Sequence, residues 1–268
     1  MKNFNKSILA VAVALTSFII SCDKAEDIDP NVKNNLSLEF DNVVGNKDLK
    51  LETEQYTNAN GESFNITLFN YYISNISLKN DKGETVTIPK EESYFLVKES
   101  DAASKTITLK NIPSGNYTSV SFIIGVDSLK NTAPVEQRTG VLDLANAMYW
   151  SWNSGYIFLK MEGTSDAAPA NANGMKKYQF HIGGYGGKDS KTINNIKTVT
   201  MPLATAATVR SNIAPTIHFI SDAMKVMNGG TNVRIATNAV TMFNPFSVNI
   251  ANNYVNMLSV DHVHNDKM

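Results

Sequence analysis

The sequence predicts an all-β protein, a single antiparallel β-sandwich of Ig-like or related topology with one or two short helices. Many short segments alternate apolar and polar residues with a period of two, which is typical of strands that bury one face. Turn-forming Asn and Gly residues separate these segments, for example at residues 58–62 and 80–83. No internal repeat or change in composition divides the chain. A 268-residue chain with 43% hydrophobic side chains is therefore expected to fold around one substantial core.

Residues 1–21 resemble a lipoprotein signal peptide. Lys2 and Lys6 supply positive charge, and the apolar run at residues 8–20 is too short for an ordinary membrane span. The run ends in Ile-Ile-Ser-Cys, which is similar to a bacterial lipobox. Cys22 is the only cysteine, so no disulfide can form within the chain. We expect cleavage before Cys22 and acylation of this residue, which would anchor the protein to a lipid bilayer.

Residues 22–34 are predicted to form a flexible acidic tether, because they combine acidic side chains and Pro30 with few apolar residues. The tether is similar to the acidic export signals of lipoproteins from the Bacteroides group. It predicts an outer-membrane lipoprotein that faces the periplasm or is displayed on the cell surface. Residues 35–268 then form the β-sandwich domain.

Within this domain, the alternating segments are interpreted as strands. They are residues 36–40, 49–53, 64–78, 85–88, 94–98, 106–109, 119–127, 150–162, 178–185, 196–201 and 216–220. Residues 128–147 are less regular and are expected to cover one edge of the sandwich. One or two helical turns are predicted at residues 222–227. The helical spacing of apolar residues at 250–258 predicts a short amphipathic helix.

Residues 148–163 contain both tryptophans of the chain, Trp150 and Trp152, two positions apart. From Gly155 onward, aromatic and charged side chains fall on one side of the segment, and aliphatic side chains fall on the other. The pattern fits a strand with one face in a core. The tryptophans are then either ordinary core residues or a functional pair.

The composition excludes several classes of function. A formal net charge of −1 gives no basic face for nucleic acid. The sequence has no G-x-S-x-G, P-loop, dinucleotide or H-E-x-x-H motif, and its carboxylates show no spacing that indicates glycosidase geometry. We therefore expect a protein that is not an enzyme.

Four histidines are the candidate metal ligands. His262 and His264 fall on the same side of an extended segment, an arrangement that suits Cu, Zn or Ni. They could equally be solvated residues of a C-terminal tail. His181 is either a third ligand or a hydrogen-bonded core histidine. His218 lies between two apolar residues and is interpreted as a strand residue with one solvent-facing side.

The segment Met-Tyr-Trp-Ser-Trp-Asn-Ser-Gly-Tyr-Ile-Phe-Leu-Lys-Met-Glu-Gly at residues 148–163 resembles the signature of the MbnP-like copper-binding proteins. The similarity extends to most of the mature chain. It includes residues 71–78, 112–117, 122–127 and 180–184.

The resemblance implies an exported β-sandwich that binds one copper ion through histidines and a tryptophan oxidised to kynurenine. A di-haem cytochrome c peroxidase relative would be the partner that oxidises it. Trp150 and Trp152 become the candidates, without a choice between them. In those relatives the histidine ligands precede the tryptophan segment, whereas here none precedes His181. Copper would therefore have to recruit His181, His262 or His264.

The sequence thus predicts a membrane-anchored, non-catalytic metal-binding lipoprotein for copper storage or delivery. Two alternatives remain. One is a surface-exposed glycan-binding module that uses Trp150 and Trp152 as a stacking platform. The other is a purely structural lipoprotein.

Overall fold

The computed structural model describes residues 28–29, 31–152 and 155–267. The predicted signal peptide, the acylation site Cys22 and residues 23–27 of the predicted tether lie outside the described residues. Among the residues described, no helix is both long and apolar enough to cross a membrane.

The described part of the chain is mostly strand. The strands are β1 (Lys33–Val44), β2 (Lys47–Asp48), β3 (Tyr56–Thr57), β4 (Ser63–Phe64), β5 (Leu68–Asn80), β6 (Thr85–Thr87), β7 (Tyr94–Lys98), β8 (Thr106–Pro113), β9 (Gly115–Ile124), β10 (Tyr149–Trp150), β11 (Gly155–Thr164), β12 (Lys177–Gly183), β13 (Lys197–Val209), β14 (Thr216–Asp222), β15 (Val240–Thr241) and β16 (Leu258–His264).

The helices are short. The α-helices are α1 (Ser128–Asn131), α2 (Met224–Met227), α3 (Ile235–Asn238) and α4 (Ser247–Tyr254). Single turns of 3-10 helix occur at Lys90–Glu92, Ala102–Lys105, Val135–Gln137, Gly140–Leu142 and Leu144–Asn146. The one or two predicted helices therefore correspond to α2 and α4. α1 and α3 were not predicted from the sequence. α1 begins where the Asp127 carboxylate accepts a hydrogen bond from the Lys130 amide.

Two sheets form the sandwich. The first has the strand order β16-β14-β1-β2, with β8 also pairing with β1. The second has the order β13-β9-β5-β11-β12-β15, with β10 on β11 and with β6 and β7 on β5. A separate β3–β4 hairpin lies beside them. The predicted all-β sandwich is confirmed.

Two strand pairs depart from the antiparallel pattern. β1 runs parallel to β14, and β12 runs parallel to β15. The partners in each pair are far apart in sequence, and such long connections allow parallel pairing where a short hairpin does not. The sandwich is therefore mainly, not wholly, antiparallel.

Aromatic side chains fill the main core between the two sheets. Phe40 and Phe219 from the first sheet stack with ring centroids 5.1 Å apart. Phe122 from the second sheet meets them edge-on, at 6.3 Å and 5.9 Å. Because these rings come from strands remote in sequence, they join the two sheets into one hydrophobic unit.

A second, smaller core lies on the outer face of the second sheet. Tyr72, Tyr156 and Phe158 point away from the main core and pack with Met148 and Trp150. Residues 128–150 cover them, and the Tyr72 and Tyr156 hydroxyls donate to main-chain carbonyls of that covering segment. The prediction that residues 128–147 cover an edge was therefore wrong, because they cover a face. Aromatic residues on both sides of β5 and β11 require this extra layer.

One predicted strand is a turn in the structure. Residues 49–53 form a turn rather than a strand, since Glu52 adopts a positive φ of 67°, which ends an extended run. β1 begins at Lys33, and near this end the Asn34 side chain donates a hydrogen bond to the Arg210 carbonyl.

The C-terminal segment differs most from the prediction. α4 ends at Tyr254, and Leu258, which was assigned to the predicted helix, begins β16 instead. Asn265 follows this strand and holds it in place, since its side chain accepts from the Thr208 amide and donates to the Ala206 carbonyl. Residues 258–264 therefore form an ordered strand and not a solvated tail.

Candidate metal centre

A β-bulge in β16 determines which way its histidines face. Val260 pairs with Phe219 and His262 pairs with His218, so Asp261 is an extra residue in the ladder. Val260 and Val263 consequently both pack against the core. A regular strand would place Val260 and Val263 on opposite faces, since side chains alternate. The bulge therefore turns His262 and His264 to the outer face of the first sheet.

The register of three adjacent strands assembles the site. Glu39 on β1 lies opposite His218 on β14, and His218 lies opposite His262 on β16. These three side chains form one row on the outer face, because the flanking Phe40 and Phe219 point into the core. His264 is beside this row, opposite Thr216.

We call His218, His262 and His264 the histidine triad. One ring nitrogen from each lies within 4.8 Å of the other two. The rings of His218 and His262 stack at 4.4 Å, and the ring of His264 stands perpendicular to that of His262 at 4.6 Å. The Nε2 atoms of His262 and His264 are 2.9 Å apart. Zn²⁺ binds imidazole nitrogen at about 2.0–2.1 Å, so small side-chain movements would place one metal ion between these nitrogens.

Each triad histidine has a carboxylate at one ring nitrogen. Nδ1 of His262 donates to Oδ2 of Asp261 at 2.7 Å. Nδ1 of His264 lies 3.8 Å from Asp266, and Nε2 of His218 lies 3.6 Å from Glu39. Metal-binding histidines commonly have such a partner, which orients the ring and leaves the other nitrogen for the metal.

The triad is accessible from solvent without being fully exposed. The side chain of His218 is 16% exposed, whereas His262 and His264 are about half exposed. A metal ion could therefore reach the site from solution, and the inner histidine would lie on the sheet beneath it.

His181 is not part of the triad. It lies on β12 in the second sheet, opposite Lys160, and its side chain is nearly buried. Nε2 of His181 donates to Oε1 of Glu162 at 2.6 Å, and the Lys160 ammonium lies 3.7 Å from the same carboxylate. This arrangement fits the hydrogen-bonded histidine that the sequence analysis gave as the alternative to a ligand.

The hydrogen bond from His181 lowers the pKa of Glu162 below its ordinary 4.5, and the nearby charges outweigh the opposing effect of burial. A carboxyl group whose pKa is lowered by folding stabilises the folded protein at pH values above its ordinary pKa. This stabilisation is lost as the pH falls through the lowered pKa. We expect Glu162→Gln to destabilise the protein by about 1 kcal/mol at pH 7, since glutamine keeps an acceptor but loses the charge. Urea denaturation of both proteins from pH 7 to pH 3 measures this. The difference should shrink below pH 4.5, and a difference that does not depend on pH would contradict the assignment.

The two tryptophans occupy different environments. Trp150 is 4% exposed in the second core, against Phe243, and its indole N–H has no hydrogen-bond partner among the residues that the structure describes. Trp152 is 64% exposed. Their rings are 5.4 Å apart and tilted by 42°. They therefore do not form the flat, exposed platform that glycan stacking would require.

Close packing around Gly183 requires glycine at this position. A β-carbon at this position would lie 2.3 Å from the Tyr156 carbonyl oxygen and 2.8 Å from the Trp150 ring. Only glycine lets the ring lie this close to β12. Trp150 and the Gly-Gly end of β12 are thus parts of one packing arrangement in the second sheet, whereas the triad lies on the first sheet.

Together, the fold and the triad define a β-sandwich protein with a candidate metal centre on the outer face of one sheet. The sequence profile of the MbnP family matches residues 33–247, which is most of the chain. The chain belongs to the MbnP family. Its fold is similar to that of MbnP from Methylosinus trichosporium, with a TM-score of 0.56 at 15% identity over 85% of this chain and 98% of that one. No curated protein sequence matches the chain significantly.

The family match does not extend to the whole triad. It ends at residue 247, so it includes His218 but not His262 or His264. The sequence indicated His262 and His264 as candidate ligands and His218 only as a strand residue. The missing signal was the apolar spacing of Leu258, Val260 and Val263, which changes from two to three residues and indicates a bulge.

Proposed function

We propose that the protein is a membrane-anchored, non-catalytic metal-binding lipoprotein that holds copper for storage or delivery. The histidine triad would be its metal site. The single observation that carries this proposal is that three imidazole nitrogens from two adjacent strands lie within 4.8 Å of one another. Neutral imidazole is a good ligand for first-row transition metals.

Copper is the metal that the site and the family favour. Among divalent first-row metals, a nitrogen site binds Cu²⁺ most tightly. Membership of the MbnP family supports the same choice, because the sequence resembles the copper-binding members of that family. The site itself would be new relative to those members, since their histidines precede the tryptophan segment.

Membrane attachment through acylated Cys22 remains part of the proposal. The acidic residues after Cys22 would lead to β1, the strand that carries Glu39 beside the triad. We place the protein in the outer membrane, facing the periplasm or displayed on the cell surface.

Tryptophan oxidation also belongs to this proposal, and we assign it to Trp152. Its exposed ring is open to a di-haem cytochrome c peroxidase relative, whereas Trp150 is enclosed in the second core. Because the tryptophans and the triad lie on different sheets, this oxidation would not supply a ligand to the triad.

Protein isolated from the membranes of its native host tests the proposal. We expect about one copper ion per chain by elemental analysis, and an intact mass that includes acyl chains and an oxidised tryptophan. A protein without copper, whose metal-free form also fails to take up copper from a weak chelator, would overturn the metal function. An unmodified mass would overturn only the anchor and the tryptophan chemistry.

A further inference from the structure

The three carboxylates around the triad carry an inference about the charge of its metal ion. Glu39, Asp261 and Asp266 each lie within 4 Å of a ring nitrogen of a different triad histidine. They come from β1, from the bulge of β16 and from the residues after β16. Three separate elements therefore bring negative charge to one small area of the surface.

This charge favours a cation of higher valence. Neutral imidazoles add no charge to the site, so the carboxylates determine its electrostatic potential. Coulomb attraction is proportional to the charge of the ion, and a divalent ion gains twice as much from the same carboxylates as a monovalent ion. The partial shielding of His218 by the sheet keeps part of this attraction from being screened by water and salt.

The triad itself offers imidazole nitrogen, not the sulfur ligands that Cu⁺ prefers. Thioether and thiolate sulfur select Cu⁺, whereas imidazole and carboxylate suit harder ions. Of the methionines that the structure describes, Met257 is nearest to the triad in sequence, and its side chain is buried in the main core. Met148 and Met161 are likewise buried in the two cores.

The carboxylates also determine which ring nitrogen of each histidine is free to bind the metal. Asp261 and Asp266 face the Nδ1 atoms of His262 and His264, which leaves both Nε2 atoms for the metal. Glu39 faces Nε2 of His218, which leaves its Nδ1. A carboxylate partner also makes the imidazole a stronger donor, an effect that benefits a divalent ion most.

We infer that the histidine triad, with Glu39, Asp261 and Asp266 behind it, is built for a divalent cation, Cu²⁺ or Zn²⁺, and not for Cu⁺. The inference rests on the proposed metal function and specifies the ion that this site takes. In the native host, copper would be held here in its oxidised form.

Metal titrations of the metal-free mature protein test the inference. Zn²⁺ and Cu²⁺ are added with a competing chelator in air, and Cu⁺ is added under reducing, anaerobic conditions with a Cu⁺-specific chelator. The variants Glu39→Gln, Asp261→Asn and Asp266→Asn remove one charge each. Asp41→Asn is the matched control, because Asp41 is an exposed residue two positions after Glu39 and pairs with Ile220 rather than with a histidine.

We expect the three charge-removing variants to weaken Zn²⁺ and Cu²⁺ binding by about 10- to 100-fold each and to change Cu⁺ binding much less. Asp41→Asn should resemble the unmodified protein. Equal weakening of Cu⁺ and Zn²⁺ binding would overturn the inference, as would carboxylate variants without effect on either ion. In both of these cases metal binding that depends on the triad would still support the proposed function. An absence of any metal binding would overturn the proposed function itself.

Discussion

Replacing His262 with alanine is expected to abolish metal binding at the triad. The ring of His262 contacts both other rings of the triad, at 4.4 Å to His218 and 4.6 Å to His264. Its loss leaves two nitrogens that no longer surround one point. We expect Cu²⁺ affinity to fall by more than the roughly 100-fold upper estimate for losing an outer-shell partner. Thermal unfolding with and without Cu²⁺ measures the effect, because an ion that binds only the folded state stabilises it by about 2.7 kcal/mol at a free concentration of 100 Kd.

The control for this prediction is His181→Ala. His181 lies on the other sheet and hydrogen-bonds to Glu162, so its replacement should lower the melting temperature without removing the further rise that Cu²⁺ causes. His218→Ala should behave like His262→Ala. If Cu²⁺ stabilises the His262 variant as much as the original protein, the triad is not the metal site.

Trp150→Ala is expected to cause the largest loss of stability among changes in the tryptophan segment. The Trp150 side chain is enclosed by the second core, and truncation of a buried aromatic residue costs about 3–5 kcal/mol. Trp152→Ala removes a ring that is mostly in solvent, so a change within about 0.5 kcal/mol is expected. Urea denaturation monitored by circular dichroism compares the two variants.

Trp150→Phe provides the matched control for that comparison. It keeps an aromatic ring against Phe243 and removes a buried N–H for which the described part of the chain offers no hydrogen-bond partner. Its cost should therefore be well below that of Trp150→Ala. Equal destabilisation by Trp150→Ala and Trp152→Ala would show that the two rings share one environment, contrary to the structure.

The sequence was most informative where one strand buries one face. β7 was predicted with both of its ends, and β11 follows the expected alternation from Phe158 onward. Ile157 was predicted on the face opposite Tyr156 and Phe158 but lies with them in the second core, because the register of β11 shifts between Ile157 and Leu159. β16 was missed for a physical reason. The bulge at Asp261 interrupts the alternation, so the period-two pattern that identifies a strand is absent from this part of the chain.

The site was only partly predictable because it depends on strand pairing. His262 and His264 are neighbours in sequence and were identified as a pair. His218 joins them only because β14 lies between β1 and β16, and no local pattern in the sequence specifies that order. The same is true of Glu39, which lies opposite His218 through a parallel pairing. His181 was a candidate ligand because it lies in a predicted strand. Its hydrogen-bond partner Glu162 lies on the neighbouring strand, and this pairing could not be predicted either.

The position of β16 at the end of the first sheet has a consequence for self-association. A strand at the end of a sheet presents main-chain groups to which a strand of another molecule can add, and bulges and charged side chains hinder this. Here Asp261 is both the bulge residue and a charged side chain, and His262 and His264 keep the outer face polar. Substituting both histidines with valine would leave an apolar run on this strand and would favour aggregation. The residues proposed to hold the metal thus also help to protect this edge against strand addition.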